Sequence, residues 1–329
     1  GVANMAEYHY DDGAVYGFPT KYENSRWILI NEDMFKEAGL DIPYDGWTYS
    51  EFLTDAEKLT HGEGQDKVYG VCWARKQSGK SILYALDGVL GANQIYKNEE
   101  GTEVNFDNDV YRAGLNLVKE TLDKGYAIPI EDEFSEDISV ANTFLQGKCA
   151  IMLGVAQMRL CMDQENYPHD FMTALVPAPV PDDEKYNTEF YRKQIGTTGA
   201  GDLLSISANT KYPEASFEFA MWYLKGGMSP LVQGGRIPLW NGVNKDEVLS
   251  VLKEKAQGSI DMDSMENYLS LDTTQGVAAI KGHASSEISS AWFEEFDAMC
   301  YGKQSVDQTV QNMEKRGNEL IQTELSSQK

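Results

Sequence analysis

FLQGKCAIMLG, residues 144–154, decides how this chain is read. A helix closes at Leu145, Gly147 supplies the turn that leaves it, and Ala150-Ile151-Met152-Leu153 has the unbroken apolar run of a strand buried on both faces. Gly154 follows at once, where a residue without a Cβ lets the backbone turn away from the sheet and lets a ligand approach. Ligands of open α/β sheets sit beyond the carboxyl ends of such strands.

Outward from this stretch, short apolar runs alternate with longer amphipathic ones. Val15–Pro19 reads as a strand entered from the turn Asp11-Asp12-Gly13, and Trp27-Ile28-Leu29-Ile30 as a second, buried strand. Residues 33–38 make a short helix that Gly39 ends. In GWTYSEF, Thr48 and Glu51 have capping-box spacing, and Trp47 and Phe52 fit a hydrophobic staple; Phe52, Ala56 and Leu59 then share a face. Val68–Trp73 reads as a strand, and Leu203–Ile206 as another. Asp107 is placed to cap a helix whose stripe is Tyr111, Leu115, Val118 and Leu122, ended by Gly125. Pro213 opens a helix with Phe217, Ala220, Met221 and Leu224 on its core face, stopped by Gly226-Gly227. Ser305 and Gln308 start the last helix, with Val306, Val310, Met313 and Leu320 as its stripe. Residues 177–189, with three prolines, read as a surface loop. The alternation is that of an α/β fold.

The composition narrows the function classes. The 329 residues suffice for two domains or one large two-lobed one, and 42% hydrophobic residues with 11% aromatics supply a packed core. Asp and Glu number 52 against 28 Lys and Arg, a net charge of −24 that repels phosphate backbones and argues against nucleic acid as a partner. Cys72, Cys149, Cys161 and Cys300 form no CxxC pair and have no His at metal-ligand spacing; Cys149 and Cys161 sit in apolar sequence and read by default as buried free thiols, a disulfide stays open, and no metal or cofactor is expected. No apolar run reaches the length of a membrane span.

Catalytic motifs are absent. His9, His61, His169 and His283 form no HExxH, no Ser lies in GxSxG, GAGDL at 199–203 lacks the GxGxxG pattern, and GGMSPLVQGG lacks the P-loop Lys. Glu294-Glu295 and Asp182-Asp183 read as solvated surface. Sugars, by contrast, are held by flat aromatics with planar hydrogen-bonding groups around them, and this chain has aromatics in loops after strands. Trp73 follows the 68–72 strand and fits a site or a core equally. Tyr22, Glu23 and Asn24, after the first strand, are open in the same way. Trp240 lies beyond Gly235-Arg236-Ile237-Pro238, where a plain surface loop is the simpler reading. Trp27, Trp47 and Trp222 occupy strand, staple and helix positions and read as structural, and Trp292, at a helix start, as core.

Five segments in this order resemble the family 1 extracellular solute-binding proteins of carbohydrate-type (maltose-binding-like) ABC importers: VYGFPTKYENSRWILINEDMFKEAGL (15–40), GWTYSEF (46–52), FLQGKCAIMLG (144–154), TTGAGDLLSISANTKYPEASFEFAMWYL (197–224) and GKQSVDQTV (302–310). They match the family's G-x-P-x strand, YN-DLF-KAGL helix, TWDEF helix start, F-GK-AM-G strand and late G-x-x-x-x-EAL helix. The resemblance implies a type II periplasmic-binding-protein fold, two α/β lobes joined by hinge crossings near Tyr22–Trp27 and Gly196–Gly201, closing on a solute held between them. It divides the chain into 1–21 with 200–257, part of an N-terminal lobe, and 22–199 with 258–329, the C-terminal lobe. Set against the family pattern the N-terminal lobe is incomplete, lacking roughly the first hundred residues, and the resemblance makes self-association through uncovered apolar surface an expectation. It also implies a mono- or oligosaccharide solute, an ABC permease as partner, no cofactor, no catalysis, and a place outside the cytoplasmic membrane on a lipidated N-terminus.

Where many relatives carry a stacking Trp two residues past the strand-end glycine, this chain has Val155-Ala156-Gln157, so Gln157 or Arg159 is left to hydrogen-bond a smaller or more polar solute. The candidate ligand contacts are Tyr22, Asn24, Trp73, Gln157, Arg159, Gly199, Asp202, Arg236, Trp240 and Glu287, with Trp73 stacking and the Arg and Glu side chains gripping hydroxyls. The rival readings are a carbohydrate-active enzyme working through two carboxylates and a fragment that binds nothing.

Overall fold

Unbroken apolar runs in short segments, buried on both faces, build the larger of two sheets. The computed structural model describes residues 14–23, 26–75, 95–135, 140–193, 199–227, 229–240, 242–256, 258–271 and 282–327. Among these residues the strands are β1 (Phe18–Glu23), β2 (Trp27–Asn31), β3 (Tyr69–Cys72), β4 (Cys149–Leu153), β5 (Thr173–Pro177), β6 (Gly199–Leu204) and β7 (Ile237–Pro238). One sheet has the order β3-β4-β2-β5, the other β6-β1-β7. In the first, β3 runs parallel to β4, and β2 runs antiparallel to β4 and β5.

The helices are α1 (Glu32–Glu37), α2 (Tyr49–Leu59), α3 (Asp109–Asp123), α4 (Ile130–Ser135), α5 (Val140–Leu145), α6 (Met158–Cys161), α7 (Glu189–Arg192), α8 (Pro213–Trp222), α9 (Lys245–Ala256), α10 (Met262–Ser270), α11 (Ser285–Cys300) and α12 (Val306–Ser327). The two-residue period of the strands sorts the larger sheet's side chains between two cores. Ile28 and Ile30 face one way with Val71, Ile151, Leu153 and Val176, and pack against α2, α3, α11 and α12. Trp27 and Leu29 face the other way with Cys72, Met152 and Leu175, and pack against α5, α9 and α10. Helices on both faces explain why β2, β4 and β5 are buried along their whole length.

Local signals set the helix ends. Thr48 Oγ1 accepts from the Glu51 N–H and the Glu51 carboxylate accepts from the Thr48 N–H, the complete capping box. The Trp47 and Phe52 rings meet edge-on with centroids 5.0 Å apart. Gly39, Gly125 and Gly147 hold the positive φ expected just past a helix.

Several boundaries differ from the sequence reading. The strand read at 15–19 lies at Phe18–Glu23, and the one read at 203–206 at Gly199–Leu204, where register with β1 overrides local composition. The cap of α3 is Asn108, whose Oδ1 accepts from Val110 and Tyr111, one residue beyond Asp107. Residues 177–181 are not surface loop: they are buried, with the Tyr49 N–H donating to the Val180 carbonyl and the Val180 N–H to that of Trp47. The apolar face of α8 is exposed, with Phe217 at 49% and Trp222 at 58%, and Ala220 its buried residue. Helical spacing says which residues share a face but not that another layer lies over it. Helix α9, assigned with the first lobe by sequence, buries Val248, Leu252 and Ala256 in the core shared by Trp27 and Leu29.

Candidate functional site

One edge of the larger sheet collects the ends of β3, β4 and β5 and the start of β2. Trp27 lies opposite Pro177, Ile28 opposite Leu153, and Cys72 opposite Met152. The chain passes from β1 of the smaller sheet into β2 at this edge, and the Ala178 N–H donates to the Arg26 carbonyl there at 2.7 Å. The strand ends of one sheet therefore point toward the other, the arrangement that places a ligand between them.

At the end of β4, Gly154 has φ +109. This left-handed turn, strained for any residue with a Cβ, sends the chain into a 3₁₀ turn at Val155–Gln157 and then α6. Val155, Met158 and Cys161 are buried and anchor the segment, while Gln157 is half-buried and Arg159 exposed. From the smaller sheet, a 3₁₀ turn at Ser229–Gly234 leads through Gly235 and Arg236 into β7. Gly235 has φ +76, and a Cβ placed on it would stand 3.1 Å from the Cβ of Arg159 and 3.2 Å from its Cα. The two backbones meet there. Tyr22 of β1 pairs with Ile237 of β7 and with Ala200 of β6, and Gly199 pairs with Glu23. Tyr22, Gly199, Gln157, Arg159 and Arg236 are thus brought to the junction of the sheets, and Asp202 stands three residues along β6 from Gly199.

Other expected contacts fall elsewhere. Trp73 is 2% exposed, its Nε1–H donates to Thr121 Oγ1 at 2.8 Å, and its ring lies against Phe52 at 5.8 Å between centroids. It belongs to the core and is not placed to stack on a solute; the strand keeps its alternation one residue past Cys72 and turns the indole inward. Trp73 also borders, with Ile28, Tyr49 and Leu117, a void of about 10 Å³, no larger than a water. Trp240 is 43% exposed with its ring folded over Gly242. Glu287 is exposed in the first turn of α11, about 15 Å along the helix axis from Asp297. Asn24 lies outside the described residues.

Sequence reasoning passed over Arg75. Two residues past Trp73, it pairs through two nitrogens with the Asp297 carboxylate, at 2.7 and 2.9 Å. Its guanidinium lies 4.1 Å from the Phe293 ring centroid and 5.7 Å from that of Phe134, which is 42% exposed. The preceding Ala74 has φ +53, a conformation costly for a residue with a Cβ. Ala74-Arg75 directly after a predicted strand was the available signal. All four cysteines are free. Burial raises the Cys72 thiol, and lifts that of Cys161 to about 12, so neither supplies a thiolate at this edge. Among the described residues, no three His, Cys, Asp or Glu side chains are grouped to hold a metal ion.

A sequence profile of the bacterial extracellular solute-binding proteins matches residues 2–225. The chain belongs to this family. As a solute-binding protein it shares its fold with many solved structures. A sugar transporter from Rhizobium etli, in an open conformation, is 17% identical over 97% of this chain and 75% of its own, with TM-score 0.70. An ABC substrate-binding protein of Listeria monocytogenes in complex with cycloalternan is also 17% identical, covering 96% of this chain and 74% of its own, with TM-score 0.69. A solute-binding protein from Agrobacterium vitis with bound D-mannitol is 19% identical, over 97% of this chain and 74% of its own, with TM-score 0.63. These likenesses establish the mixed α/β fold of type II periplasmic binding proteins. The family works in extracellular or periplasmic space and consists of binding proteins. Among the described residues no helix is long and apolar enough to cross a membrane.

Proposed function

We propose that this solute-binding protein captures a sugar or polyol between two lobes and delivers it, chemically unchanged, to an ABC permease. The observation that carries the reading is the meeting of the Gly154–Arg159 segment with Gly235-Arg236 where the two sheets join. The smaller sheet with α8 forms one lobe. The larger sheet with its two helix layers forms the other, now including α9. The hinge crossings expected at Tyr22–Trp27 and Gly196–Gly201 lie partly outside the described residues.

No bond is made or broken. Closure around the solute replaces its water with Gln157, Arg159 and Arg236 on either side of the junction, joined by Tyr22, Gly199 and Asp202. Arg75, sandwiched near Phe134, offers a second polar and aromatic surface at the same sheet edge. The permease then selects the closed form, whose population the solute raises by its differential affinity. Sugars bound by the Listeria and Agrobacterium proteins support this solute class.

Equilibrium dialysis against maltose, mannitol and galactose, with chromatography of the recovered sugar and a parallel assay on aryl glycosides, tests the reading. Saturable binding with unchanged sugar and no aryl release is expected. Release of the aryl group, abolished by replacing one carboxylate, would establish the enzyme instead.

A further inference from the structure

Arg159 is an exposed cation at the junction, as is Arg236, and its surroundings are unusual for this chain. Acids outnumber Lys and Arg 52 to 28, and the arginines Arg75, Arg112, Arg192 and Arg316 all hold carboxylates, from Asp297, from Asp107 and Asp307, from Glu51, and from Glu294 and Glu295. The Arg159 side chain makes no ion pair or hydrogen bond among the described residues. Its backbone is nonetheless fixed: Met158 is buried on one side of it in sequence, Cys161 lies buried just beyond, and Gly235 of the opposite element lies so near that a Cβ on it would stand 3.2 Å from the Arg159 Cα. A guanidinium held at a lobe junction loses water when the lobes close, and a charge buried without a counter-charge opposes that closure. Among the described residues no carboxylate holds it, which makes a negatively charged group on the solute a fitting partner.

We propose that the solute carries an anionic group, a carboxylate or a phosphate ester on a sugar, and that Arg159 grips it through its planar fork. This rests on the sugar-binding reading above. The fork matches two oxygens of either group, which Lys or an amide does less well. The loop after Gly154 has no aromatic side chain, so at this point recognition falls to the charge and not to stacking.

Titration calorimetry of the full chain tests this with three probe pairs: glucuronate against glucose, galacturonate against galactose, and glucose 6-phosphate against glucose. The acidic member of at least one pair is expected to bind at least about tenfold more tightly than its neutral partner, as a charge-assisted contact provides. The carboxylate and phosphate arms separate the two sources of the charge. Arg159→Gln should remove that preference, and Arg159→Lys should keep part of it, with melting curves unchanged because the side chain is exposed. Neutral sugars binding as tightly as their acidic partners, or an acid preference that survives Arg159→Gln, would overturn the anionic solute while leaving the sugar-binding reading intact. No heat with any probe from a chain that melts cooperatively would overturn both.

Discussion

At the scale of single residues, burial separates structural side chains from those available to a solute. Trp73 illustrates it: sequence leaves the indole open to either role, and the donor bond to Thr121 with the Phe52 contact settles it as core. Trp73→Ala should cost about 3–5 kcal/mol in urea unfolding, with the solute affinity of the folded fraction unchanged; a selective loss of affinity would return Trp73 to the site. Gly235 is the opposite case. Its φ of +76 is strained for any residue with a Cβ, and a methyl group there would crowd Arg159 at 3.1–3.2 Å, so Gly235→Ala should destabilise by about 1–2 kcal/mol and weaken solute binding together. Asp55 gives a pH signature. Burial, reinforced by Glu51 and Asp41 and opposed by Lys58, raises its carboxyl from 3.8 to about 6. The folded state then holds the proton more tightly than the unfolded one, so the stabilisation is present below pH 4 and is lost as pH rises through about 6. Asp55→Asn should therefore melt higher than the parent at pH 7, by about 1 kcal/mol given the half-exposed site, and the difference should vanish near pH 4.

At the scale of elements, the most legible features were those whose partners lie close in sequence. The Thr48–Glu51 box, the Trp47–Phe52 staple and the stops at Gly39, Gly125 and Gly147 depend on neighbours within five residues, and all formed, whereas α8 ends at Trp222, before the stop read at Gly226-Gly227. Thr48→Ala should lower stability by about 1 kcal/mol, measured by thermal melts, through loss of the cap. β4 was legible for another reason: a strand covered on both faces has an unbroken apolar signature. What could not be read depended on distant partners. β6 begins at a glycine-rich stretch because β1 supplies its ladder, and Asn108 caps α3 one residue past the acid that composition favours. The same limit applies to the site. Gly154 and the residues after it were visible as a strand end, but nothing in the sequence announced that Gly235 touches Arg159, or that Asp297 lies 222 residues from the arginine it holds.

For the whole molecule, the two-sheet architecture and its family were legible from the order of five weak motifs, each of which alone says little. The exposed aromatic face follows from the same architecture. Tyr212, Phe217, Phe219 and Trp222 on or beside α8, with Leu203 of β6, leave large apolar side chains in water, a surface that favours association. Light scattering of the full chain should give a mass that rises with concentration above that of one chain, and joint Phe219→Ser and Trp222→Ser substitution should return it toward that of a single chain. The most direct test of the central claim is the thermal melt of the intact chain against a panel of neutral sugars, polyols, sugar acids and sugar phosphates. A ligand that binds only the folded state stabilises it by about 2.7 kcal/mol at a hundredfold excess over its dissociation constant. The account predicts a saturable rise in melting temperature with one sugar class; a sharp melt that no member of the panel moves would contradict it.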